Sequence, residues 1–168
     1  NNAQYGGGIF VASGSLTLSG TRLEGNMARY SGGGLYNYHS SSQTTIQDNS
    51  LITNNTSLCF GGGISNDGGG LTVSNSTIST NQALTGGGVH SLSGSVDIRE
   101  NSVVLNNNAD DGGGLYVDSS NTTLSDSRIE GNQVSGDGGG VAHFFGTLTV
   151  LNTTLTGNTA GRGGALYN

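Results

Sequence analysis

Three aspartates are the residues of this chain whose type and spacing come closest to an acid–base or metal site. Asp111 and Asp137 each stand directly before a run of three glycines, and Asp110 precedes the first of them. If equivalent positions stack on neighbouring strands, the two carboxylates lie about 5 Å apart. That separation suits a glycosidase pair or half of a Ca²⁺ site. Arg162 occupies the same slot in the next unit, so the simpler expectation is an ion pair with Asp137.

The three histidines do not have the spacing of metal ligands. His90 and His143 fall on strand positions of opposite parity and His39 falls in a turn, so we expect solvated or turn histidines. The glycine runs do not form a phosphate-binding loop either, because such a loop requires a helix N-terminus and a lysine, and the chain has no lysine. We therefore predict no catalytic residue and no cofactor. Calcium at Asp110, Asp111 and Asp137 is the remaining alternative.

Aromatic residues are concentrated at one position of the sequence pattern, immediately after the aliphatic residue that follows each glycine run. Four of the seven residues at this position are aromatic, although aromatics make up only 6% of the chain. They are Phe10, Tyr36, Tyr116 and Tyr167. Exposed aromatic rings stack on sugars or pack against partner proteins, which predicts contact with a glycan or a surface receptor. The alternative is cover by adjacent loops together with ordinary strand preference.

These side chains are positioned by a repeat that runs through the whole chain. A glycine run followed by an aliphatic residue recurs, and successive aliphatic residues are 26, 29, 25, 26, 26 and 25 positions apart. The aliphatic positions are Ile9, Leu35, Ile64, Val89, Leu115, Val141 and Leu166. A period of this length indicates a solenoid in which each unit stacks on its neighbours.

The second half of each unit repeats as well. A short alternating segment such as Leu16–Leu18 is followed after five residues by another aliphatic residue, and three positions later by an asparagine. Stacked asparagines can hydrogen-bond along the solenoid axis and to the backbone of the turn. We predict a buried asparagine ladder formed by Asn26, Asn54, Asn81, Asn106, Asn132 and Asn158.

Composition supports this architecture and excludes some functions. The 32 glycines suit a thin, closely stacked core, and the net charge of −6 with five scattered arginines argues against nucleic-acid binding. No apolar run is long enough to span a membrane. Cys59 is the only cysteine, so an internal disulfide is impossible.

The pattern predicts an all-β fold, a right-handed single-stranded parallel β-helix. Residues alternate with a period of two, and no segment has the apolar periodicity of a helix. We expect 25–26 residues and three short strands per rung, with about six to seven rungs in a single domain over residues 1–168. Because the motif is intact at both limits and no cap is visible, we expect the domain to be part of a longer chain or assembly, with end-to-end β-helix contacts.

The motif pair also resembles that of a known family. The chlamydial polymorphic outer-membrane proteins repeat GGA[ILV] and FxxN, and here the pair is GGG[ILV] and [LIV]xxN, as in Gly6–Ile9 with Leu23–Asn26. The chain differs in having an aliphatic residue where that family has phenylalanine. The resemblance covers the whole chain and implies an extracellular or cell-surface protein with an adhesive or structural role. It implies no catalytic residues.

Two functions follow from the sequence as predictions. The first is a non-enzymatic adhesive or structural β-helix, either a segment of a surface protein or a subunit of an extracellular filament. The alternative is a β-helix that binds or degrades polysaccharide, since the same fold carries unrelated functions. Only degradation predicts a base and convergent acids in a groove.

Overall fold

Short strands make up almost all of the regular structure. A computed structural model describes all 168 residues, Asn1–Asn168, and contains no α-helix. Each strand holds two to five residues, because the Gly, Asn, Ser and Asp residues between the apolar pairs turn the chain. The chain forms no helix with the length and hydrophobicity needed to cross a membrane.

The strands form three long parallel sheets. The first sheet consists of Ile9–Val11, Leu35–Tyr38, Ile64–Asp67, Val89–Leu92, Leu115–Asp118, Val141–Phe144 and Leu166–Tyr167. The second sheet consists of Ser15–Ser19, Gln43–Gln47, Gly70–Ser74, Ser95–Arg99, Asn121–Ser125 and Leu148–Leu151. The third sheet consists of Arg22–Glu24, Leu51–Thr53, Thr77–Ser79, Val103–Leu105, Arg128–Glu130 and Thr154–Thr156.

Every strand pairs with the equivalent strand of the next repeat. In the first sheet, for example, Leu35 pairs with Ile64 and Ile64 pairs with Val89. The chain therefore winds through all three sheets once per repeat, completes six turns and adds a seventh first-sheet strand. This is the predicted parallel β-helix with the predicted number of rungs.

A fourth strand segment was not predicted. It follows the ladder asparagine in several turns and leads into the glycine run, where two small parallel sheets form. Small or aliphatic residues such as Ala28, Ala109 and Val134 are buried there, which lets successive turns pack closely enough to pair. The segments are Asn2–Tyr5, Met27–Ser31 and Thr56–Ser57 in one sheet, and Asn108–Ala109 and Gln133–Val134 in the other.

Aliphatic side chains that point into the coil form the core. Eighteen buried residues form one cluster, in which each side chain packs on its counterparts in adjacent rungs. Leu35, Ile64 and Val89 of the first sheet are fully buried, as are Ile46 of the second and Ile78 of the third. The alternation that points these residues inward points their neighbours outward, and this fixes which side chains can contact a ligand.

The glycine run is where successive turns approach most closely. Gly61 has a φ of 62°, a left-handed conformation that favours glycine. A Cβ on the next residue, Gly62, would lie 2.5 Å from the carbonyl oxygens of Gln82 and Gly87. Because both atoms belong to the backbone, no side-chain movement can relieve the contact.

Gly62→Ala should therefore destabilise the fold by about 3 kcal/mol or more, since a methyl group is forced against rigid backbone. Gly25→Ala is the control, because Gly25 has open space around a Cβ and a φ of 63°. That change should cost only the left-handed strain, about 1–2 kcal/mol. Urea unfolding measures both changes, and equal losses would contradict the close approach at Gly62.

Asparagines form a continuous buried ladder beside the core. Asn81 donates from Nδ2 to Asn107 Oδ1 at 3.0 Å and to the Ile52 carbonyl at 3.0 Å. Its Oδ1 accepts from the backbone N–H of Asn55 at 2.9 Å and from Asn55 Nδ2 at 3.1 Å. Each amide thus links three rungs. The ladder consists of Asn1, Asn26, Asn55, Asn81, Asn107, Asn132 and Asn158.

Two predicted ladder members are wrong. Asn54 and Asn106 are exposed, with φ of 55° and 54°, and their neighbours Asn55 and Asn107 hold the ladder positions instead. In both repeats the preceding turn holds one extra residue, with two consecutive residues at positive φ, such as Asp48 and Asn49.

The same extra residue moves the inward aliphatic positions. Ile52 and Val104 are fully buried, not Leu51 and Val103. In these two repeats both the aliphatic residues and the asparagines come in adjacent pairs, so either register satisfies the sequence pattern.

Adjacent asparagines allow a direct test of this register. Asn107→Ala should cost about 3 kcal/mol, because it removes four buried hydrogen bonds: two that Asn81 donates to Asn107 Oδ1, and two that Asn107 Nδ2 donates to the Ile78 carbonyl and Asn132 Oδ1. Asn106→Gly should change stability by less than about 1 kcal/mol, because glycine tolerates the positive φ. If thermal unfolding shows a larger loss of stability for Asn106→Gly than for Asn107→Ala, the register predicted from the sequence is correct instead.

Candidate functional site

All ten aromatic residues of the chain lie along one side of the β-helix. Six tyrosines and four phenylalanines are present, and nine of them form ring–ring contacts with centroids 5.2–6.2 Å apart, or pack on His90. The tenth, Phe145, lines a cleft together with Phe144 and Tyr167. The buried core cluster contains no aromatic residue, so this clustering is a property of the outer surface.

Eight of the ten aromatic side chains belong to three columns along the first sheet, which we call the aromatic groove, and the other two, Tyr30 and Phe145, lie beside these columns. Its floor is the column Phe10, Tyr36, Ser65, His90, Tyr116, Ala142 and Tyr167. One side is the column before the glycine run: Tyr5, Ser31, Phe60, Thr85, Asp111, Asp137 and Arg162. The other side is the column at the strand ends: Tyr38, Asp67, Leu92, Asp118 and Phe144.

Local geometry explains why these columns meet. Residues at the floor and strand-end positions are two apart on the strand and so share its outer face. The first glycine of each run has a positive φ and turns the chain between the column that precedes the run and the first-sheet strand. As a result Tyr5 stacks on Tyr36 with centroids 5.6 Å apart, and Phe60 contacts His90 at 4.9 Å.

Three clefts follow the groove. Tyr5, Phe10, Tyr36 and Tyr38 line the first, with a volume of about 260 Å³. The central cleft, of about 360 Å³, lies over His90 and Tyr116, and a third of about 400 Å³ lies beside Tyr167. In the central cleft the floor is more buried than the sides, since His90 is 8% exposed while Phe60 and Leu92 are 42% and 38% exposed. The surface is therefore concave along the axis.

The predicted contact residues all lie in this groove but differ in accessibility. Phe10 is half exposed, whereas Tyr36 is only 7% exposed because Tyr5, Phe10 and Tyr38 surround its ring. Tyr116 and Tyr167 are intermediate. Tyr36 therefore lies on the outer face of the sheet, but neighbouring side chains cover it.

Sequence reasoning missed Tyr5, Tyr30 and Phe60 as members of the same surface. Tyr5 and Phe60 stand directly before a glycine run, in the slot that Asp111 and Asp137 occupy in later repeats. That shared slot was the available signal. Tyr30 has no such signal, and it joins the groove by contacting Tyr5 at a centroid distance of 5.3 Å.

The expectation of solvated histidines is wrong for two of the three. His90 and His143 are buried, and only His39 is exposed. His90 stacks on Tyr116 with centroids 5.4 Å apart and planes 5° apart. Burial lowers the pKa of His90 to about 4, against the opposing effect of Asp67 and Asp118. The ring is therefore neutral at pH 7.

The three aspartates do not form the calcium site considered from the sequence. Asp137 accepts from Arg162 Nε at 2.7 Å and from Nη2 at 2.6 Å. Asp111 Oδ1 accepts from the backbone N–H of Asp137 at 2.7 Å, and Asp110 is exposed. No group of three acidic, histidine or cysteine side chains is placed to hold a metal ion. The Asp111 and Asp137 carboxylates instead link neighbouring turns at the position before the glycine run.

Two other aspartates face the groove. Tyr36 Oη donates to Asp67 Oδ2 at 3.1 Å, and Ser119 Oγ donates to Asp118 Oδ1 at 2.8 Å. Burial and the nearby Asp67 charge raise the pKa of Tyr36 well above its ordinary value. Neither Asp67 nor Asp118 has a salt-bridge partner.

The depressed pKa of His90 predicts acid sensitivity. The unfolded chain binds a proton at His90 below about pH 6.5 and the folded chain only below about pH 4, so this contribution is complete above 6.5 and is lost as pH falls toward 4. His90→Phe keeps an aromatic ring without the titration. Between pH 7 and about 4.5, urea unfolding should show wild type losing about 2 kcal/mol more than the variant. Parallel pH profiles would contradict the burial of a neutral ring.

Comparison with known proteins identifies the fold. The family model described as a right handed beta helix region matches residues 7–168, nearly the whole chain. Its description agrees with the predicted right-handed sense. No curated protein and no solved structure gives a significant match.

Proposed function

The chain belongs to the right-handed β-helix family, and on that premise we propose that it is a non-enzymatic extracellular adhesive module whose aromatic groove binds a linear glycan. The observation that carries this proposal is the placement of all ten aromatic residues along one concave face. Ordinary strand preference would distribute aromatic residues over all three sheets. Their confinement to one side of the coil, on the first sheet and the segments that flank it, favours a binding surface.

The chemistry of the groove suits sugars. Aromatic faces offer flat apolar surfaces to the C–H faces of sugar rings, while tyrosine hydroxyls bind sugar hydroxyls. Polar side chains such as Ser65, Thr85 and Asp67 lie between the rings of the central cleft. A mixture of apolar walls and a few polar groups is typical of small-ligand sites.

The direction of the groove favours a polymer. Floor residues repeat at the strand spacing of about 4.8 Å over seven strands, so the groove is about 30 Å long and parallel to the helix axis. A linear chain can occupy several clefts at once, which raises affinity without any single strong contact.

The non-enzymatic part of the proposal rests on the acids. Degradation requires a pair of carboxylates free to transfer protons. In the pair suggested by the sequence, Arg162 occupies both oxygens of Asp137, and Asp111 accepts a backbone N–H. The resemblance to chlamydial surface repeats supports an adhesive role at the cell surface.

Binding to neutral linear oligosaccharides, such as β-1,4-linked glucose or N-acetylglucosamine oligomers, tests this function by calorimetry. The double variant Phe10→Ala, Tyr38→Ala removes two half-exposed groove rings. It should bind at least about fivefold more weakly, since each stacked ring contributes about 0.5–1.5 kcal/mol. Val150→Ala, Leu151→Ala removes exposed apolar groups of the second sheet and should leave affinity unchanged.

Two results would count against the proposal. Absence of binding to every glycan tested, or equal loss in both double variants, contradicts a glycan site in the groove. Shortening of the oligosaccharide during incubation, seen by chromatography, contradicts the non-enzymatic role.

A further inference from the structure

The centre of the aromatic groove carries concentrated negative charge. Asp67 and Asp118 occupy the same strand-end column with Leu92 between them, so their positions are two strand spacings, about 10 Å, apart. Both line the central cleft, whose floor is His90 and Tyr116. The carboxylates thus border a flat stacked pair of rings from one side.

No cation of the protein neutralises these two carboxylates. The salt bridges of the chain use Glu24, Asp97, Glu100 and Asp137. No arginine lines the central cleft, and the chain has no lysine. His90 is the only basic side chain in that cleft, and its low pKa keeps it uncharged at neutral pH. Asp111, in the opposite side column, adds a further negative charge near Tyr116.

A second observation at the same place indicates a missing partner. His90 is more than nine-tenths buried in the floor of the cleft, and its Nδ1 atom has no hydrogen-bond partner. Buried polar atoms in native proteins are nearly always paired, so such an atom requires an explanation. A polar ligand in the cleft that reaches the edge of the His90 ring supplies one.

We propose that the central cleft recognises a positively charged amino sugar within the bound glycan and disfavours uronic acids. This inference rests on the glycan-binding function proposed above. The sugar ring packs against Tyr116 and the edge of His90, and its ammonium group donates charge-assisted hydrogen bonds to Asp67 or Asp118. A uronic acid carboxylate at the same place meets like charges without a cation to bridge them, which opposes binding.

Three oligomers of equal length test this selectivity by calorimetry: β-1,4-glucosamine, its N-acetylated form and galacturonic acid. At about pH 6 and low salt, where the free amine is protonated, the glucosamine oligomer should bind at least tenfold more tightly than the N-acetylated one. The galacturonic acid oligomer should bind most weakly.

The variant Asp67→Asn, Asp118→Asn locates the effect. It should abolish the preference for glucosamine, so that the glucosamine and N-acetylated oligomers bind with affinities within about twofold of each other, because the rings and the amide side chains remain. Asp48→Asn, Asp126→Asn is the matched control, since it removes the same charge from turns between the second and third sheets. That control should retain the preference.

The outcomes separate the two proposals. Binding of the N-acetylated oligomer without a preference for glucosamine, or with a preference for galacturonic acid, overturns the charge selectivity and leaves glycan binding intact. A preference that survives Asp67→Asn, Asp118→Asn overturns the assignment to the central cleft. Failure of all three oligomers to bind overturns both proposals.

Discussion

Backbone pairing between successive turns at about 4.8 Å is the interaction on which the rest of this structure depends. Each strand residue stacks on the equivalent residues one turn above and one turn below. A residue type at an inward position must therefore pack well against the same type in both neighbouring turns. Aliphatic residues satisfy this by packing. Buried asparagines satisfy it because each amide both donates and accepts, as Asn81 does toward Asn55 and Asn107. Glycine satisfies it where backbone meets backbone, as at Gly62.

The same constraint acts on the outer surface and produces its chemistry. Residues that stack in a column accumulate one kind of side chain along the axis, and aromatic rings stack well at this spacing. Charges do not, since like charges on neighbouring strands repel. Asp137 follows Asp111 only where Arg162 is next in the column, and Leu92 separates Asp67 from Asp118. The positions of Asp67 and Asp118 therefore follow from the same requirement that places the rings, namely that each side chain must be compatible with its neighbours in the column.

Much of the fold could be predicted from the sequence, because equivalent positions in successive repeats indicate which residues pair. The three main sheets and most of the core follow from glycine runs and alternation. The predictions were wrong or incomplete where two registers fitted the pattern equally well, or where the backbone departed from the regular repeat. Asn54 and Asn55 were equivalent until the extra turn residue after Gln47 was known. Phe60 lies in the groove because the chain turns at Gly61, which has a left-handed conformation, and the periodicity of the sequence does not predict such a turn. His90 was expected to be solvated because its strand position is outward, and neighbouring rings bury it.

Strand alternation also separates what stabilises the fold from what contacts solvent. The ladder and the aliphatic core lie inside, while the aromatic groove uses the outer faces of the same strands, so most groove side chains can change without disturbing the interior. His90 is the exception, because it lies on the outer face and is nevertheless buried with an unpaired Nδ1. Its ring supports Phe60 and Tyr116 on either side. A ligand bound at the central cleft, as proposed, would therefore also stabilise the strands beneath these rings.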